Sequence, residues 1–228
     1  MPNRLLFILA LALPLALSLT ACTTTQSISR DNAASLRGQT LALALHPAGE
    51  FQVMTSGNML WGGLGAIGAG ILTSNALSHG ARVAQEHALQ DPAPALATRL
   101  VQPLQRQWGM RLVNPPLNST DDDPAALAAS AKARARYLLS VQTQGWGMHY
   151  LSATRYMAQY NARARLIDTQ TAQVIAQADC HRMPPSGVDD RFPTYDQMLA
   201  NGASVLKQHM RQAVDECLNT LHKRLLPG

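Results

Sequence analysis

Gly63, Gly65 and Gly68, in the run WGGLGAIGAGIL, have the G-x-G-x-x-G spacing with which a backbone turn approaches a pyrophosphate. That chemistry also needs an acidic residue about 20 positions on, ending a second strand, to hold a ribose hydroxyl. The nearest acid, Glu86, lies in HGARVAQEHAL, a stretch of helical character. No dinucleotide site is expected, and no cofactor. The seven histidines (46, 79, 87, 149, 181, 209 and 222) include no pair at the short spacing of a zinc site, although His79 and His87 can share a helix face. Asp121, Asp122 and Asp123 lack the alternating ligand spacing of a calcium loop and directly precede Pro124, so they read as a helix cap. No G-x-S-x-G elbow occurs; Ser186-Gly187, after two prolines, reads as loop. The expectation is a protein without catalysis, although a triad assembled from distant residues would leave no local trace.

One residue remains with a strong chemical context, Cys22. The chain opens MPNRLLFILALALPLALSLTAC, with one early charge at Arg4, an apolar stretch and then small residues. This is the pattern of a secretory signal peptide. The stretch holds Pro14 and is shorter than the ~20 apolar residues that span a bilayer. Leu19-Thr20-Ala21-Cys22 resembles the lipobox of bacterial lipoproteins, which implies cleavage before Cys22 and its acylation, palmitate included. An ordinary signal peptide with a nearby free cysteine is the alternative. In such lipoproteins an aspartate after the cysteine implies retention at the inner membrane, and here Thr23 follows. The resemblance therefore places the chain at the outer membrane, lipid-anchored and facing the periplasm. Soluble dinucleotides are not normally used there, a second reason to discount GLGAIG.

The expected organisation is a signal peptide at 1–21, an acylated cysteine and flexible tether at 22–37, and one domain at 38–228 with a glycine-rich segment at 61–72. That length suffices for one domain with a substantial core, or at most two small ones. The formal charge of +5, one unit of it from Arg4, has no long basic run behind it, so nucleic acid is not an expected partner.

GQTLALAL alternates leucines with small residues and stops at His46-Pro47, which predicts a first strand. Asp91-Pro92 starts a helix carrying Leu96, Leu100, Leu104 and Trp108 at intervals of four, with Pro103 inside it as a kink or break. MRLVN predicts a short strand, and Asp123-Pro124 starts another helix. From Tyr137 the period becomes two. RYMAQYNARARLID places Tyr160, Ala162, Ala164 and Leu166 on one face and Asn161, Arg163 and Arg165 on the other, as in an antiparallel strand. QVIAQADC follows a turn, with Leu166 fitted opposite Val174 and Tyr160 opposite Cys180. YLLSVQTQGWGMHY precedes, with Leu139 fitted opposite Leu166 and Gly145 opposite Tyr160, the glycine leaving room for the ring. The last segment predicts a long amphipathic helix with Leu199, Ala203, Leu206, Met210, Ala213, Cys217 and Leu221 in a stripe. The fold class is α/β: a mixed sheet whose later strands form an antiparallel meander, packed by helices including the C-terminal one.

Cys180 and Cys217 both fall on apolar faces, and an even pair in an oxidising compartment suggests a disulfide, with two buried thiols as the alternative. In the fitted hairpin register Trp146, Met148 and Met157 share the outer face. Large apolar side chains there mark a partner-binding surface, unless the glycine-rich segment covers them. Within that segment Gly62, Ala66 and Gly70 repeat at four, as do Gly65 and Ala69. Such an edge permits close packing against a neighbouring helix, in the fold or in a second copy, or else the segment is a loop.

The order of elements is similar in layout to that of the curli-secretion lipoprotein, the lipoprotein activators of penicillin-binding proteins and the N-terminal domain of the Tol-system propeller protein. Leu166-Ile167-Asp168-Thr169, with Thr171 and Val174, resembles their variable-Asp-x-x-Thr-Gly-x-Val hairpin, with Ala172 where glycine is usual. The resemblance implies a domain that binds envelope protein partners or self-associates. The curli pore hairpins are not matched, because Gln144, Gln159 and Asn161 make the 144–160 hairpin too polar for lipid. The function expected is a scaffold or assembly partner in the envelope. The alternatives are a binding module for a small ligand or peptidoglycan fragment, using Trp146 and Tyr150, and a hydrolase with an unrecognised site.

Overall fold

A computed structural model describes residues 25–54, 77–152, 154–182 and 191–226. The helices are α1 (Arg30–Leu36), α2 (described over 77–86), α3 (Ala93–Trp108), α4 (Pro124–Ala131) and α5 (Tyr195–Leu225). The strands are β1 (Thr40–Leu45), β2 (Phe51–Val53), β3 (Arg111–Leu112), β4 (Leu117–Asn118), β5 (Tyr137–Ser152), β6 (Arg155–Asp168) and β7 (Val174–His181). They form one mixed sheet in the order β3-β1-β5-β6-β7, with β4 also on β1 and β2 also on β5. β1 runs parallel to β3, β4 and β5, while β5, β6 and β7 make the antiparallel meander.

β1 is buried on both faces, with Leu41, Ala42, Leu43 and Ala44 all nearly inaccessible. Its leucines join the main core with α3 and α5, and its alanines meet Leu127, Ala128 and Ala131 of α4, Leu138 and Ile167. The small residues between the leucines let α4 approach the sheet closely. Asp123 caps α4 by accepting from the Ala126 amide at 2.9 Å. α3 stays continuous through Pro103 and ends at Gly109, whose φ of 63° is left-handed.

The β6–β7 turn shows what its motif does. Asp168 accepts the Arg136 guanidinium at 2.5 and 2.6 Å and also accepts from the Gln170 amide at 2.8 Å. The Thr169 hydroxyl donates to the Ala135 carbonyl at 2.7 Å. Ala172 takes a φ of 59°, a region where a Cβ is strained. Ala172→Gly is expected to raise stability by about 1 kcal/mol in a urea melt, because the relief of strain exceeds the gain in unfolded-chain entropy.

Three expectations change. First, Leu139 pairs with Leu166 as fitted, but the β5–β6 register shifts between Thr143 and Gly145, so Gly145 faces Asn161 and Trp146 faces Tyr160. One extra residue reverses the alternation beyond it. Trp146 and Met148 thereby turn into the main core, at 5% and 1% exposure, and are not an outer surface. Met157 pairs with His149 and is also buried, at 3%. On the other side of β6 the pairing is Leu166 with Ala176 and Ala162 with Cys180, two residues from the fitted one, which keeps Ala176, Ala178 and Cys180 on their predicted face; past Leu166 the register shifts again, so Val174 pairs with Ile167 and packs on the α4 side.

Second, the tether is shorter than 22–37. Gln26 exchanges backbone hydrogen bonds of 2.8 Å with Gln177 at the β7 edge. Ile28 is buried and its amide donates to the Leu225 carbonyl. Ser29 caps α1. Ile28 and Leu36 supply the apolar contacts in a stretch that is otherwise polar.

Third, α5 is interrupted. Ala200 is extended and Asn201, Gly202 and Ala203 are left-handed, which splits the element after its first turn. Asn-Gly adopts this region readily. Thr194 and Gln197 form a capping box at the start, and the stripe from Leu206 to Leu221 lies on the sheet as expected. Among the described residues no helix is long and apolar enough to cross a membrane.

Candidate functional site

The predicted site residues fall into three groups. Cys22 and the close-packing set Gly62, Gly65, Ala66, Ala69 and Gly70 lie outside the described residues. Cys180 of β7 and Cys217 of α5 form a disulfide with a Cα–Cα distance of 5.4 Å, both about 3% exposed. Trp146 and Met148 belong to the core, but Trp146 also forms the floor of an open cleft.

That cleft has a volume of about 480 Å³ and lies between α3, the second part of α5 and the segment 88–92. Two features of the sequence place the tryptophan there. The register shift turns it inward, and the parallel strand β2 puts Phe51 beside it, ring centroids 4.9 Å apart and nearly perpendicular. The indole N–H donates to the Gly49 carbonyl at 2.5 Å, which fixes the ring. Leu206, Met210 and Val214 of α5 supply one wall, with Leu89, Pro92 and Ala95 opposite.

The charges of the cleft differ in how they are used. Arg99 of α3 and Asp215 of α5 form an ion pair at 2.6 Å across one side, with side chains 43% and 57% exposed. Exposed pairs of this kind contribute little stability. Asp91 accepts from the Ala93 amide at 2.9 Å and from the Thr143 hydroxyl, so its carboxylate is committed to the structure. Lys207 and Arg211, four residues apart on α5, have no ion-pair partner among the described residues. The cleft therefore has an apolar floor, two occupied carboxylates and two uncommitted cations.

A second polar cluster lies at the end of β1. His46 Nε2 and Ser140 Oγ are 2.8 Å apart, while His46 Nδ1 is enclosed without a hydrogen-bond partner among the described residues. Burial pushes the His46 pKa below its usual value; nearby Asp122 opposes this and Arg165 adds to it. Arg165 itself donates to the Asp122 carbonyl at 2.6 Å and ion-pairs with its carboxylate. The arrangement lacks a triad's geometry. No carboxylate accepts from Nδ1, and Ser140 is 2% exposed within the sheet, where an acyl carbon has no approach. It ties β1 to β5.

Among the other candidates, His79 bonds the Tyr195 hydroxyl at 2.8 Å, and Tyr150 packs edge-on against Tyr156. Among the described residues no three His, Cys, Asp or Glu side chains are grouped to hold a metal ion. Sequence reasoning missed Phe51, Lys207 and Arg211. The two basic residues had a signal, since they border the apolar stripe one turn apart. Phe51 had none, because its role depends on a three-residue strand inserted in parallel.

No family model matches the chain, and no curated protein matches it. The chain is similar to several solved structures at low identity. A DUF330-family protein from Xanthomonas campestris is 17% identical with a TM-score of 0.33, over 58% of this chain and 62% of that one. PelC from Paraburkholderia phytofirmans, solved as a dodecamer, is 14% identical with a TM-score of 0.34, over 90% and 96%. Lipoprotein GNA1162 from Neisseria meningitidis is 10% identical with a TM-score of 0.26, over 78% and 98%. The chain thus spans less than two thirds of the first of these, and at such TM-scores the likenesses carry no inference about activity or partners.

Proposed function

We propose that this chain is a lipoprotein of the outer membrane, anchored through Cys22, that acts without catalysis as a scaffold or assembly partner for other envelope proteins. The observation that carries the reading is how soon the folded body begins. Gln26 is already paired to β7 and Ile28 is already core. Whatever path the three intervening residues take, the four steps from Cys22 to Gln26 span at most about 14 Å. A body held that close to its lipid anchor presents fixed faces to its neighbours in the membrane plane. A long flexible tether would instead suit a protein that searches the periplasm. The Cys180–Cys217 disulfide adds support, since such bonds persist in oxidising compartments.

The test is crosslinking in living cells, followed by sizing and identification of what is captured. A discrete homo-oligomer or a reproducible envelope partner is expected, together with loss of both when Cys22→Ser removes the anchor. A monomer that captures nothing reproducible would sink the proposal. The second reading, a module for a small ligand or peptidoglycan fragment, is favoured by one observation, the cleft over Trp146.

A further inference from the structure

We infer that the cleft between α3 and α5 binds a single-chain amphiphile with an anionic head, of the fatty-acid carboxylate type. Three observations carry this. The volume of about 480 Å³ lies within the roughly 300–1,000 Å³ range of small-molecule sites. The floor and walls are apolar, with Phe51, Trp146, Leu206 and Met210 facing the space and the only indole donor already committed to Gly49. A sugar or peptide backbone would find few partners there, whereas a hydrocarbon chain loses nothing on entry.

The head is assigned by charge. Of the two carboxylates that line the cleft, Asp215 is neutralised by Arg99, and Asp91, turned to an amide and a hydroxyl, keeps one negative charge that the two remaining cations outweigh. Lys207 and Arg211 are left, one helical turn apart, with no ion-pair partner among the described residues. Side chains of this kind pack their stems on apolar surface and keep their charged ends in water, which suits a cation at the mouth of an apolar cleft. An anionic group at the mouth meets both cations while its chain lies over the indole. A neutral amphiphile gains only the second contact, and a cationic one is repelled.

The experiment uses the mature chain, residues 22–228, with Cys22→Ser so that neither anchor lipid nor detergent competes. Its probe is dansyl-undecanoate, a fluorescent fatty-acid carboxylate, titrated at fixed ionic strength and then displaced with dodecanoate. Saturable, displaceable binding is expected. Lys207→Glu with Arg211→Glu should weaken it about tenfold or more, the scale of losing charged hydrogen bonds. Ala95→Trp, at an exposed position on the cleft wall, should abolish it while the melting temperature holds.

Each contrary result is decisive. Equal affinity for the uncharged dansyl-undecyl amide would overturn the anionic head. Binding that survives Ala95→Trp would overturn the site. Absence of saturable binding, including a case in which an amphipathic peptide or a second copy of the chain occupies the cleft instead, would overturn the ligand class. None of these results bears on crosslinking through the anchored form, so the two proposals fail separately.

Discussion

Replacing Cys180 and Cys217 together with alanine is expected to lower the stability of the domain by about 4 kcal/mol. The bond closes a loop across a sequence separation of 37, and the chain-entropy model gives a loss of that order when it is opened. Both residues are buried on the same core, so alanine removes little else and leaves no polar group stranded. The position magnifies the effect. Among the described residues β7, which holds Cys180, pairs with β6 and with the Gln26 bridge alone, and Cys217 lies on α5, which packs on β6 and β7. Opening the bond frees an edge strand and its helix at once. In a thermal melt the loss corresponds to a fall of roughly 10 °C for a chain of this size. The measurement is a pair of urea titrations with and without reductant, alongside thiol counting in the native protein. Identical midpoints with two titratable thiols would show that the bond is not holding the fold.

The disulfide illustrates what a sequence can reveal. Each cysteine could be assigned to an apolar face from periodicity alone, because β7 and the stripe of α5 keep their period over many residues. The two-residue offset in the β6–β7 register left Ala176, Ala178 and Cys180 on their face, since a shift of two preserves it, while the irregularity past Leu166 moved Val174 to the other. The one-residue shift at Gln144 did the opposite. It carries no marker in YLLSVQTQGWGMHY, and it moves Trp146 and Met148 from a supposed partner surface into the core. The same blindness explains the tether. TTTQSISRDNAAS is polar overall, and nothing local announces that Ile28 will find the C-terminal end of α5 or that Gln26 will add to β7. Lys207 and Arg211 were readable as charges bordering the stripe, but their meaning depends on which neighbouring carboxylates are already occupied. Only assembled side chains show that.

β2 depends on two glycines more than on its own three residues, and Gly147→Ala is expected to cost about 3–5 kcal/mol. A Cβ at Gly147 would come within 2.0 Å of the Gln52 carbonyl oxygen and 2.8 Å of its carbon. At Gly80, on α2, it would meet the Phe51 carbonyl oxygen at 1.8 Å. β2 is therefore held between two surfaces that lack side chains at the point of contact, and the obstructing atoms are backbone, which has no rotamer to yield. Either substitution must push β2 away from β5. That exposes Phe51 and Val53, now 2% and 0% accessible, at a cost of about 1.5–3 kcal/mol for each side chain. Gly145→Ala is the control, two residues away on the same strand. Its nearest neighbour would be the Asn161 side-chain nitrogen at 3.8 Å, an ordinary contact, and the expected change is within about 1 kcal/mol. Urea melts of the three variants separate close backbone approach from a general dislike of alanine in this strand. If Gly145→Ala and Gly147→Ala melt together, β2 does not lie where it is described. The cleft then gives an independent reading, because displacing Phe51 removes half of the aromatic pair that forms its floor. Gly147→Ala should lose dansyl-undecanoate binding even at temperatures where the rest of the sheet stays folded, and Gly145→Ala should retain it.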